Sequence, residues 1–263
     1  MRKTIKLIFF SICILMLCQA CDSPSPKPPP PEQKPKSQPT APQQHTKKPA
    51  ESKNVWPPVR DNQEVTIAKN LLAKNYYVVL DCSGSMSQFG CSGGKPKLNA
   101  AKVALAKFAQ LVPSDANLGL MAFQGGKIYE LVPFEIGNRD QFVSATNSTK
   151  AGGGTPLHSA LRAGYLEIEK QARRQLGYGE YILVIVTDGE ASEGQDPTKI
   201  VHQILDDSPV QIHTIGFCIG TDHSLNIPGR TVYKPADSPE QLQRGLQDVL
   251  AEAETFNVSD FKE

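Results

Sequence analysis

The chain has 263 residues, 39% of them hydrophobic and 21% charged, with a formal net charge of +1. That apolar share is low for a chain folded throughout, so part of it stays outside any packed core. The near-neutral total conceals two parts of opposite sign: residues 1–58 carry 9 Lys or Arg against 3 Asp or Glu, and the remainder carries 19 against 24. A mildly acidic folded part argues against nucleic acid as its partner.

Residues 1–20 read as an export signal. Arg2, Lys3 and Lys6 supply the positive start, and Leu7 to Leu17 forms an apolar core too short to span a bilayer comfortably. Cys18-Gln19-Ala20 ends in a small residue suited to cleavage before Cys21. A Cys directly after such a bond resembles the lipobox of bacterial lipoproteins, although Leu is usual where Cys18 stands and a small residue where Gln19 stands. The resemblance implies acylation of Cys21, with diacylglycerol on its sulfur and an acyl chain such as palmitate on its amine. Several chains would hold the protein on a membrane of the cell envelope, since each buried CH₂ contributes about 0.8 kcal/mol. Ordinary secretory cleavage at the same bond would leave a protein free of the membrane. Asp22 resembles an inner-membrane retention signal of enteric bacteria, a rule that does not extend to all bacteria, so the choice of membrane stays open.

The segment 21–58 joins that anchor Cys to a linker. Residues 22–58 contain 12 of the 21 prolines, including Pro28 to Pro31, with Lys, Gln and Ser between them. So little of it is apolar that no core can offset the entropy of ordering. The prolines stiffen it toward polyproline II, giving a reach on the order of 100 Å when extended. A spacer fits this composition better than a ligand for a Pro-binding domain. Trp56, beside Pro57-Pro58, reads as a cap on the edge of the domain that follows.

Residues 59–263 have globular patterning. Val65, Ala68, Leu71 and Leu72 stand at roughly helical spacing within an ambiguous stretch, 62–74. Apolar runs then predict strands over 76–81, 118–123, 127–132, 181–187, 210–217 and 231–234. Periodic segments predict helices over 98–111, 156–175, 197–206 and 239–254. Gly125-Gly126 joins the second and third strands as a tight antiparallel hairpin. Alternation of buried strands with amphipathic helices predicts an α/β fold, a doubly wound, mainly parallel six-stranded sheet covered on both faces. Asp196-Pro197 and Ser238-Pro239 supply helix starts.

The first strand delivers Asp81, Ser83 and Ser85 to its carboxyl end, where ligands bind in open α/β sheets. One carboxylate and two hydroxyls within five residues suit a hard divalent cation. This Asp-x-Ser-x-Ser run resembles the metal-site signature of the von Willebrand factor type A domain. Two further pieces stand in that family's order: Thr155 after Gly152-Gly153-Gly154, and Asp188 directly after the apolar run 181–186. The resemblance covers roughly residues 75–255 and implies a site for Mg²⁺ (or Mn²⁺). It implies direct contact from Ser83, Ser85 and Thr155, with Asp81 and Asp188 acting largely through water. It further implies an open position for a Glu or Asp of a partner protein, hence a metal-dependent clasp.

Catalysis finds little support. Aspartate-nucleophile phosphatases need a second Asp where Ser83 stands, no Gly-x-Ser-x-Gly elbow surrounds either serine, and there is no metal-spaced His pair. His158, one turn after Thr155, reads as a structural or rim residue, and His213 as core. The expectation is a membrane-tethered protein-binding module with no catalytic residues. The rivals are a structural envelope component whose metal only stabilises the rim, and a metal-dependent hydrolase. Cys13 and Cys18 leave with the signal, so Cys82, Cys91 and Cys218 remain beside Cys21. Cys91 lies in an apparent insertion, Ser87 to Lys97, and Cys218 ends the fifth strand on the same rim. A Cys91–Cys218 bridge would pin the insertion across the metal face, and Cys82–Cys91 is its rival. The insertion is the expected source of ligand selectivity.

Overall fold

A computed structural model describes residues 55–58 and 64–252. Cys21, the leader over 1–20 and the spacer as far as residue 54 lie outside the described residues. The sheet is built on β1 (Lys74–Cys82), followed by α1 (Lys97–Leu111), β2 (Asn117–Gln124), β3 (Lys127–Glu135) and α2 (Arg139–Ser148). Then come α3 (Leu157–Arg174), β4 (Glu180–Thr187), α4 (Thr198–Asp207), β5 (Gln211–Phe217), β6 (Val232–Ala236) and α5 (Pro239–Glu252). The strand order is β3-β2-β1-β4-β5-β6, with all neighbours parallel except β2 and β3.

The period of two in a strand divides the core. Tyr76, Val78, Leu80 and Cys82 of β1 pack into one apolar cluster with α1, α2 and α5. Tyr77 and Val79 pack into the other, with α3 and α4. The same alternation runs through β4, where Ile182, Val184 and Val186 face the first cluster and Tyr181, Leu183 and Ile185 the second. Both faces are buried, which is why these strands read as continuous apolar runs rather than alternating ones. The apolar stripes of α1, α3 and α5 all face inward. Gly164 lets α3 lie close on the sheet, since a Cβ there would stand 3.2 Å from Val79 and 3.3 Å from Leu183.

Two segments depart from expectation. The helix α2 was not predicted: only Phe142 and Thr146 of it are buried, too few to make an apolar stripe in the sequence. Residues 64–73 form no helix. Ala68 instead donates its N–H to the Arg174 carbonyl, and the Gln175 amide donates to the Ala73 carbonyl, so this stretch is strapped to the end of α3. Trp56 stacks on Tyr165 with ring centroids 5.8 Å apart, at the edge of the second core. The edge strand β3 is largely exposed and carries Lys127, Glu130, Pro133 and Glu135, residues that discourage pairing with another chain.

The connections fix where a ligand would sit. After β1 the chain turns to α1 on one face, and after β4 it turns to α4 on the other. Neighbouring parallel strands whose loops diverge in this way leave a crevice at their carboxyl ends. Asp81 and Asp188 stand at that crevice.

Candidate metal centre

Asp81 is fully buried, one residue before the end of β1. Its Oδ1 accepts the Ser83 N–H at 2.7 Å, and its Oδ2 accepts the Thr187 hydroxyl at 2.6 Å. The carboxylate therefore ties the end of β1 to the end of β4 and is fixed in orientation. Beyond it the chain forms a 3₁₀ turn, Gly84–Ser87, held down by Met86, which is completely buried in the first core. That turn directs the Ser85 hydroxyl to Asp188 Oδ1 at 2.7 Å. Ser85 has given its one proton there, so in its 2.9 Å contact with the Ser83 hydroxyl it accepts and Ser83 donates. Ser83, Ser85 and Asp188 thus form one hydrogen-bonded chain.

The triple-glycine loop is laced to the same turn. Gly84 donates to the Gly153 carbonyl at 2.9 Å, Gly152 to the Cys82 carbonyl at 2.9 Å, and Gly125 to the Gly152 carbonyl at 2.6 Å. Gly153 has a φ of 83°, and a Cβ there would lie 2.7 Å from the Gly125 carbonyl carbon, so only glycine fits between turn and hairpin. Thr155 is held on the other side: its N–H donates to the Ser192 hydroxyl at 2.8 Å and its carbonyl accepts the Ser192 N–H at 3.0 Å. Among the described residues, no hydrogen bond joins the Thr155 side chain to the serines or aspartates. Ser83, Ser85 and Asp188 are therefore joined directly, Asp81 through the Ser83 N–H and through Thr187, and Thr155 through its loop.

Charge gives the test of fit. Burial pushes the Asp81 carboxyl above its usual range, the hydrogen bonds from Ser83 and Thr187 oppose that, and the Asp188 charge adds to it. Asp188 is as deeply buried. Its Oδ2 pairs with the Lys97 ammonium at 2.9 Å, both side chains being nearly or fully buried. Among the described residues no ion pair reaches Asp81. Two buried carboxylates with one ammonium, beside hydroxyl oxygens, form a donor set that suits a hard cation. His, Cys, Asp and Glu form no cluster of three or more that could hold a metal among the described residues, so a soft-metal site of that kind is absent there.

Sequence reasoning missed Lys97, Thr187 and Ser192. Thr187 could have been found, because it adjoins Asp188 at the strand end. Lys97 carried no signal: it closes a segment of no regular pattern, and only the fold brings it to Asp188. Cys91 of that segment is joined to Cys218 across 127 residues, while Cys82, at the end of β1, is a buried free thiol whose pKa is pushed up to about 12 by burial. His158 uses its backbone N–H to reach the Gln195 carbonyl, and His213 is buried in β5.

Residues 76–190 match the von Willebrand factor type A domain. The chain is 30% identical over 195 residues to the uncharacterized protein YwmD of Bacillus subtilis (strain 168), covering 66% of this chain and 83% of that one. It is 27% identical over 156 residues to YwmC of the same organism, covering 54% of this chain and 66% of YwmC. Among solved structures, the pilus adhesin SpaC from Lactobacillus rhamnosus GG aligns with a TM-score of 0.54 at 17% identity. That alignment covers 71% of this chain and 31% of the adhesin, so this chain spans under a third of SpaC.

Proposed function

Because this chain belongs to the von Willebrand factor type A family, we propose that it is a metal-dependent protein-binding module of the bacterial cell envelope, tethered to a membrane through a lipid on Cys21. Ser83, Ser85 and Thr155 would hold Mg²⁺ or Mn²⁺ directly, and Asp81 and Asp188 largely through water. Bound there, the ion supplies a Lewis-acidic position for a carboxylate oxygen of a partner's Glu or Asp. The protein's own residues do the rest. Asp81 and Asp188 hold compensating charge in fixed orientation, Ser83 keeps its lone pairs free by donating to Ser85, and the laced loops keep the three segments in register.

The observation that carries this reading is Asp81: a buried carboxylate, fixed by two hydrogen bonds, that no ion pair reaches among the described residues. A buried charge of that kind is costly unless a cation accompanies it. The adhesin likeness of the fold supports the binding reading. Calorimetry with Mg²⁺ and Mn²⁺ tests the metal. The wild-type chain should take up one ion and the Asp81→Ala chain none, with the fold intact by circular dichroism; equal uptake by both refutes the site. Capture of partners from envelope extract with and without chelator then tests its use. The laced loops favour one second reading, a structural envelope component whose ion only stiffens the rim. That reading wins if chelation lowers the melting temperature but leaves capture unchanged.

A further inference from the structure

Lys97 is an odd choice for its position. It is the first residue of α1, where a cation opposes the helix dipole, and it is buried. Its ammonium pairs with Asp188 and, among the described residues, with no other carboxylate. The side chain is also confined. Lys97 N–H donates to the Gln88 carbonyl at 2.8 Å, and a Cβ on Gly90 would lie 2.8 Å from Lys97 Cε and 3.7 Å from Cys218 Sγ. The 87–97 segment therefore lies against the lysine stem and is bound to the end of β5 by the Cys91–Cys218 bridge. The stem is confined with its ammonium beside Asp188.

We propose that Lys97 couples the two bound partners of the site, so that a divalent cation and an acidic ligand bind together rather than in sequence. The inference rests on the metal reading above. With Lys97 in place, Asp81 and Asp188 offer a cation one net negative charge instead of two. A divalent ion then leaves the site with a net positive charge, and a single carboxylate cancels it. Without Lys97 the ion alone would neutralise the site, and the carboxylate would bring an uncompensated negative charge into a buried place. The lysine weakens the first step and strengthens the second, which is positive coupling. By reciprocity the carboxylate raises affinity for the ion by the same factor that the ion raises affinity for the carboxylate.

Mn²⁺ titrations of the full chain by calorimetry, in acetate and in chloride of equal ionic strength, read this coupling, with Asp81→Ala as the blank for ion and acetate in solution. Wild type should bind Mn²⁺ about tenfold more tightly in acetate than in chloride, within the usual span of coupling between sites. Lys97→Met should bind Mn²⁺ about tenfold more tightly than wild type in chloride and lose the gain from acetate, as expected for removing a buried like charge. Lys97→Arg should keep the gain, and Lys97→Gln serves if the Met chain does not fold. Equal affinities and equal acetate gain in wild type and Lys97→Met overturn the coupling while leaving the metal site standing. Binding by Lys97→Met but not by wild type, even in acetate, overturns it in favour of a lysine that plugs the site. Absence of binding in every chain removes the metal reading and the coupling with it.

Discussion

Asp81 shows how one side chain can be built against its own stability. Both of its oxygens accept hydrogen bonds, yet burial still raises its pKa from the ordinary 3.8. A carboxyl whose folded pKa lies above its unfolded value contributes most when protonated: that contribution is full below the unfolded value and is lost as pH rises through the folded one. Asp81→Asn keeps an acceptor for the Ser83 N–H, and the Thr187 hydroxyl can still donate to the Gly189 carbonyl 3.1 Å away. In chelator the Asn chain should therefore match or exceed wild type at pH 7, by about 1 kcal/mol, with the advantage vanishing near pH 4. Urea denaturation at the two pH values measures it, and a large loss at pH 7 would show that the charge stabilises the metal-free fold. Asp81, Ser83, Ser85, Thr155 and Asp188 were legible as ligand-type residues because their types and their order travel with the sequence. Lys97 was not, because its meaning depends on a partner 91 residues away.

At the scale of elements, the segment between the 3₁₀ turn and α1 acts as a clamp rather than a connection. Its hold has three parts: the Cys91–Cys218 bridge, the Lys97 N–H to Gln88, and Gly90 at φ 42° against the lysine stem. Replacing both bridge cysteines by serine should cost about 2–4 kcal/mol, the usual contribution of such a crosslink. Gly90→Ala should cost about 1 kcal/mol or more with the bridge intact, because it adds backbone strain to a collision with Lys97 Cε. Thermal denaturation of the three chains checks both, and a neutral Gly90→Ala would mean that the lysine stem has room to move. Sequence alone left Cys82 and Cys218 as alternative partners for Cys91. The fold separates them, since Cys82 points into the first core while Cys218 lies beside the segment. The helix α2 was illegible for the opposite reason: its two buried side chains are enough to dock it but too few to form a pattern.

Over the whole molecule, two cores share one sheet, and titration of a buried group in that sheet reports on global stability. His213 in β5 is nearly inaccessible, and burial lowers its pKa from the ordinary 6.5, with Lys234 adding to that and Glu252 opposing it. A folded pKa below the unfolded one contributes stability above pH 6.5 that is lost as pH falls through the folded value. His213→Gln should flatten that acid limb of the stability curve while lowering its plateau, and an unchanged limb would assign it to other groups. The sequence by itself determined the sheet, the helices α1, α3, α4 and α5 that cover it, and the ligand-type residues. Apolar periodicity is a local consequence of burial on one face or two, and the signature residues stand at strand ends that periodicity locates. Only the tertiary structure decided which charges meet. A segment without periodicity brings Cys91 to Cys218 at the end of β5 and leads into α1, whose first residue, Lys97, meets Asp188 after β4, and no repeat along the chain records either meeting. Contacts between distant segments are set by how layers pack, and it is there that the charge of this site is determined.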